Sequence, residues 1–167
     1  MNKTTPWTKS QFKNWYQERP VLPSRDYKKT IEPRIASLNE LPDYNVEKYG
    51  EVNYKTNDLN NTPIQSTHSL YRILIGDFNQ DKPIYIVIGG THGYEKSGPL
   101  ACLKFAEEDA KDLKQEFNII IYPCLSPGPY EKELRFSEGR IDINRDAFLE
   151  GAQTQEMQAF SASLKEL

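Results

Sequence analysis

Ile84-Tyr85-Ile86-Val87-Ile88-Gly89-Gly90, then Ser97-Gly98-Pro99-Leu100, then Asn118-Ile119-Ile120-Ile121-Tyr122-Pro123: these three stretches decide the fold. The first is a continuous apolar run, mostly β-branched, broken by two glycines. Such a run is expected of a strand buried on both faces. The third repeats the pattern and is closed by Pro123. Between them Leu100, Leu103, Ala106, Ala110 and Leu113 recur every three or four residues, the inward stripe of a helix. Ser97 is placed to cap that helix, and Pro99 suits a first turn, where no N–H is needed. Glu107, Glu108, Lys111 and Asp112 fall mostly off the stripe and read as a solvated face. Strand, helix, strand over about forty residues is a βαβ unit, with a right-handed crossover and parallel strands. The loops after Ile88 and Tyr122 should therefore meet at one edge of the sheet, where sites of open α/β sheets lie.

Working outward, residues 70–75 alternate Leu, Arg, Leu against Tyr, Ile, Ile and read as a strand ended by Gly76-Asp77. Residues 49–54 read as another strand, and residues 58–66, with two Asn and a Pro, as a loop. Residues 10–17 suggest a short helix with Phe12, Trp15 and Tyr16 on one face. Residues 24–38 suggest a second helix, interrupted at Pro33. Residues 154–167 read as a helix capped by Thr154, with Met157, Phe160 and Leu164 inward. The division expected is a polar leader over residues 1–48 and a domain over residues 49–167.

At 167 residues the chain has the length of about one domain. Hydrophobic residues make up 37% of it, below the roughly 45–50% apolar content of ordinary domains, so the core is sparing. Mean hydropathy is -0.73. No run approaches the roughly 18 apolar residues of a spanning helix, and no apolar segment of a secretory signal opens the chain. The expected home is cytoplasmic. Residues 1–68 carry a net charge of +2 and residues 69–167 a net charge of -5. Neither part has the basic stripe of a nucleic-acid binder. Cys102 and Cys124 form neither a disulfide framework nor a metal-type pair, and are expected as reduced thiols.

The two converging loops carry the chemistry. The first is Gly89-Gly90-Thr91-His92-Gly93-Tyr94-Glu95. An imidazole and a carboxylate three residues apart can converge on one zinc ion if the turn between them is tight, which the glycines allow; the other reading is a loop His and a Glu with no shared role. The second loop carries Arg135, Arg140 and Arg145. Arginine's planar fork pairs with a carboxylate or a developing oxyanion.

His92-Gly93-Tyr94-Glu95 after a strand, followed by Arg135 and then Asp142-Ile143-Asn144-Arg145, resembles the zinc carboxypeptidase family and its aspartoacylase-like relatives. The resemblance covers roughly residues 49–167. It implies an α/β fold with a mixed, partly parallel sheet and flanking helices, like the N-terminal half of a zinc carboxypeptidase domain. It implies His92 and Glu95 as zinc ligands and Arg135, nine residues before Asn144, as the group that stabilises the oxyanion. Asn144 and Arg145 would grip the carboxylate of a peptide or acyl-amino acid substrate. The Ser126-Pro127-Gly128-Pro129-Tyr130-Glu131 stretch resembles the family's Asn-Pro-x-Gly turn. Ser137 stands where the family has Asn, glycine is shifted to Gly139, and Ala147 separates Asp146 from Phe148.

A catalytic zinc site of this kind has a third protein ligand. The only other histidine, His68, has no motif around it and reads as a loop histidine. In the family the second histidine and the general-base glutamate come later than Leu167. The chain is thus expected to be the N-terminal part of a metallocarboxypeptidase-like hydrolase, inactive alone, with Met157, Phe160 and Leu164 short of packing partners. Two alternatives stand beside this one. They are an N-acyl amino acid deacylase of the aspartoacylase type, and a non-catalytic module that binds carboxylates or a partner protein.

Overall fold

The computed structural model describes residues 7–18, 25–57, 63–147 and 151–167. These build a four-stranded mixed sheet with helices on both faces, as expected of the α/β class. The sheet order is β1 (Tyr44–Asn57), β2 (Pro63–Ile75), β4 (Asn118–Tyr122), β3 (Ile84–Ile88). β1 and β2 form a long antiparallel hairpin, β2 pairs antiparallel with β4, and β3 pairs parallel with β4. The parallel pair is the one read from the βαβ pattern. Its connection is α4 (Ser97–Glu108) followed by α5 (Ala110–Leu113), divided at Asp109. Ser97 is the first helical residue rather than the cap, which falls on Lys96 with no side-chain bond.

Alternation along β4 sorts the core into two layers. Ile119 and Ile121 face Tyr27, Ile31, Ile35, Leu103 and Ala106, which come from α2 (Tyr27–Thr30), the following turn, α3 (Glu32–Leu38) and α4. Ile120 and Tyr122 face Met157 and Phe160 of α8 (Gln155–Lys165). Thr154 caps α8 by accepting from the Met157 N–H. Met157 and Phe160 are buried, Leu164 packs beside them, and Tyr122 meets Phe160 edge-on at 4.8 Å. The expected shortage of partners for this helix is not found. β4 and the β1–β2 hairpin cover it, because β4 offers apolar residues to both faces.

Four further expectations need correction. β3 is not buried on both faces: Ile84, Tyr85, Ile86 and Ile88 are 41–50% exposed. Its β-branched run suits two-sided burial, but β3 lies at the sheet edge, with a strand on one side and α4 under only one face. Both hairpin strands are longer than their apolar cores. β1 starts at Tyr44, five residues before the strand expected over residues 49–54, and residues 63–66 belong to β2 rather than to a loop. Residues 58–62 lie outside the described residues. The break in the second helical segment falls at Ile31, and Pro33 sits in the first turn of α3, where its missing N–H costs nothing. Lastly, the stretch after Ser126 is not a turn but a short helix, α6 (Pro127–Lys132).

The helix expected over residues 10–17 is present as α1 (Lys9–Glu18), opened by Thr8 and Gln11, which bond reciprocally. The face assigned to Phe12, Trp15 and Tyr16 lies outside the described side chains. Cys102 and Cys124 are free and buried. Among the described residues, no helix is long and apolar enough to cross a membrane.

Candidate metal centre

The two loops do meet. The Leu125 and Ser126 N–H groups donate to the Gly89 and Gly90 carbonyls, both at 3.1 Å, and the Ser126 hydroxyl donates to Gly90 at 2.6 Å. This sews the end of β3 to the segment leading into α6. The His92–Glu95 turn then lies against α6. It is closed by the Glu95 N–H on the His92 carbonyl at 3.1 Å and by the Tyr94 N–H on the Leu134 carbonyl at 3.1 Å.

His92 is buried, and both ring nitrogens face carboxylates. Nδ1 lies 3.0 Å from Glu95 Oε1 and Nε2 lies 3.0 Å from Asp142 Oδ1. A neutral imidazole carries one N–H and cannot serve two acceptors. Where the ring gives a single proton to Asp142, Nδ1 and Glu95 Oε1 are two lone-pair donors facing each other, which a cation bridges as a second ring proton would. Tetrahedral zinc ligands at about 2.0–2.1 Å sit about 3.3 Å apart, close to the observed spacing. The pair therefore fits a zinc ion. Glu95 is half exposed, so the site opens to solvent on its side. Among the described residues, no three His, Cys, Asp or Glu side chains are gathered into a metal cage.

Asp142 links the ring to the second loop. It stands just before α7 (Ile143–Asp146) and accepts the Asn144 N–H on Oδ1. Its Oδ2 receives the Arg135 fork, Nε at 3.2 Å and Nη2 at 2.8 Å. The bond with His92, then those with Arg135, hold the Asp142 carboxyl down from 3.8 to about 2. Arg135 also donates to the Tyr94 hydroxyl at 3.0 Å, and the Tyr94 ring stacks on His92 at 5.9 Å. Arg145 is exposed on α7. α7 is moored by Asp146, whose carboxylate accepts the Gln153 and Thr154 N–H groups and the Thr154 hydroxyl. A cleft of about 430 Å³ runs along Lys132, Leu134, Phe136 and Arg140, and neither His92, Glu95 nor Asp142 lines it.

Of the residues read from the sequence, His92, Glu95 and Arg135 come together, with the Asn144 backbone beside them. The sequence pattern assigns no role to Asp142 or Tyr94. Asp142 stood within the quoted motif, and only the fold shows it holding the ring.

His68 is not a loop residue. It lies in β2, 2% exposed, between the rings of Tyr27 and Tyr54, with Nε2 3.6 Å from Glu131 Oε2. Burial, then Lys28 and Lys132 nearby, outweigh the raising effect of Asp26 and push its pKa down from 6.5 to about 4, although Glu131 lies beside the ring. The unfolded chain binds a proton on this ring before the folded one does. Stability from the neutral ring is present above about pH 6.5 and lost as the pH falls towards 4. Urea unfolding of wild type and His68→Gln should give curves that converge over that window. An unchanging difference would reject the assignment.

No family model matches the chain, and no curated protein does. Solved structures do. A protein from Burkholderia mallei assigned as a carboxypeptidase is 14% identical with a TM-score of 0.62; the match covers 84% of this chain and 36% of that one. A metallo-carboxypeptidase from Burkholderia cenocepacia is 16% identical with a TM-score of 0.60, covering 84% and 38%. Bovine thrombin-activatable fibrinolysis inhibitor, in complex with a tick carboxypeptidase inhibitor, is 15% identical with a TM-score of 0.60, covering 86% and 56%. The fold is thus of the metallocarboxypeptidase class. The chain spans from about a third to somewhat over half the length of these similar proteins.

Proposed function

We propose that this chain is the part of a zinc-dependent, carboxypeptidase-type hydrolase that supplies two metal ligands and the substrate-orienting arginines. The observation that carries the reading is His92, held through Nε2 by Asp142 and presenting Nδ1 to Glu95 at 3.0 Å. A carboxylate behind a histidine is how proteins fix the tautomer of a metal-binding imidazole. Zinc, when bound, polarises the scissile carbonyl and lowers the pKa of its water. Arg135 stands one carboxylate away from the ring, with its guanidinium part exposed, and supplies charge to a developing oxyanion. Asn144 and Arg145 follow on α7, where they take the carboxylate of a substrate with a free C-terminus.

The rest of the catalytic unit, with the third ligand and the general base, lies in polypeptide that covers β3. Two observations support this: the apolar, half-exposed β3 edge and the partial coverage of the similar chains. A cytoplasmic setting suits the two free thiols.

The test is zinc titration of the chain alongside assays on blocked dipeptides and N-acyl amino acids. The chain should take up one zinc weakly, lose it on His92→Ala, and cleave neither substrate above the zinc-free control. Uptake unchanged by His92→Ala would sink the metal site. Chelator-sensitive turnover would sink the claim that the chain is inactive alone, and the substrate turned over would separate peptidase from deacylase.

A further inference from the structure

We infer that Arg25 is the positioning residue of the metal turn: it sets the angle between His92 and Glu95 from 68 residues away. The inference rests on reading those two side chains as ligands. Arg25 belongs to the polar segment that begins the chain, where the sequence suggested no role. Its Nη1 donates to the Gly93 carbonyl at 2.6 Å and its Nη2 to the Tyr94 carbonyl at 3.1 Å. These belong to two of the three peptide groups between the ligands; the carbonyl of the first, on His92, accepts the Glu95 N–H.

The ligand pair depends on those two groups. Residues three apart converge only if the intervening peptide planes keep one orientation, and Gly93 would otherwise allow many. The turn's own backbone bonds fix the Tyr94 and Glu95 N–H groups. The Gly93 carbonyl is held by Arg25, and the Tyr94 carbonyl by Arg25 together with the Lys96 N–H at 3.1 Å. One planar fork holding two successive carbonyls is a geometry an ammonium does not reproduce.

Arg25 is itself held. Its side chain is 8% exposed, its Nε pairs with Glu133 Oε1 at 3.4 Å without a hydrogen bond, and its guanidinium lies 5.4 Å from the centre of the Tyr130 ring. Glu133 ends α6 in a left-handed conformation, φ 55°. Arg25 thus clasps the metal turn to the end of α6, two residues before Arg135. It touches neither substrate nor metal, and acts through the turn.

The test compares Arg25→Met, Arg25→Lys and a control, Arg34→Met, which removes an ion pair to Glu107 in the same helical layer. Zinc affinity is read by competition with a chromophoric chelator, and amide exchange at Tyr94 and Glu95 by NMR on the zinc-free protein. Arg25→Met should lose about 10–100-fold in zinc affinity, the range found for groups behind a ligand, and exchange those two amides about tenfold faster. Arg25→Lys should fall between it and wild type and serves in its place if Arg25→Met does not fold. Arg34→Met should match wild type in both. Affinity and exchange within twofold of wild type for the Arg25 variants would overturn the inference. So would an equal loss in Arg34→Met, which would mark a general loosening. If wild type takes up no zinc, the metal reading fails, while faster exchange confined to the Arg25 variants still supports the clasp.

Discussion

Gly93→Ala should prevent the His92–Glu95 turn from seating on α6 and cost more than about 3 kcal/mol of stability, the range of severe core lesions. A Cβ built on Gly93 meets the Pro129 carbonyl carbon at 2.0 Å, its oxygen at 2.2 Å and the Tyr130 nitrogen at 2.3 Å. All three are backbone atoms, so no rotamer change relieves them. The turn would have to lift by more than an ångström, and three things hold it down. These are the Tyr94 N–H on Leu134, the Arg25 fork, and the loop stitches at Gly89 and Gly90. The lesion should appear both in urea unfolding and in loss of zinc uptake. Gly139→Ala is the comparison. It is a glycine of the second loop, with φ 70°, and its Cβ meets only the Ile141 side chain at 3.7 Å. It should cost about 1 kcal/mol, the order of a left-handed alanine. Equal effects at the two positions would show that the contact with α6 is not what selects glycine at 93.

The sequence made the βαβ unit legible because β3, α4 and β4 each carry a strong, unmixed pattern. Knowing the strands to be parallel, one could place their loops at one edge, and so bring His92 near Arg135. Sheet order was another matter. Ile84–Ile88 and Asn118–Tyr122 look alike in sequence, yet β4 is wholly buried and β3 half exposed. Burial there depends on which strand has neighbours on both sides, and periodicity does not record neighbours. The hairpin was cut short for a related reason. Its outer parts, residues 55–57 and 63–66, are paired strand built mostly from polar residues and a proline, and a loop looks the same by composition. His68 is masked in the same way, since Ser66, Thr67 and Ser69 around it hide a strand position facing inward. The helical layer was legible in pieces: Tyr27, Ile31, Ile35 and Leu38 do repeat at helical spacing, but among lysines and glutamates that suggested a leader. At the site, spacing alone found His92 and Glu95. Asp142 and Arg25 reach the turn from 50 and 68 residues away, and no local pattern registers a bond of that span.

Removing the Asp142 carboxylate should do more to the metal centre than removing any group other than the ligands themselves. Three donors converge on it: the His92 ring, the Asn144 N–H and the Arg135 fork. Asp142→Ala leaves His92 free to turn or change tautomer, and should lower zinc affinity about 10–100-fold. It should also cost about 1–3 kcal/mol of stability, because Nε2 is buried and loses its acceptor. Asp142→Asn separates geometry from charge. The amide keeps the shape and one acceptor oxygen, but no longer neutralises Arg135, whose pKa this carboxylate raises. If charge is the main contribution, Asn should resemble Ala in zinc affinity; if ring orientation is, Asn should stay near wild type. The His92 ring decides directly: its ¹⁵N spectrum in the zinc-free protein should show one tautomer in wild type and a mixture in Asp142→Ala. Zinc affinity within twofold of wild type in Asp142→Ala would mean that the ring is held by its packing on Tyr94 and not by the carboxylate behind it.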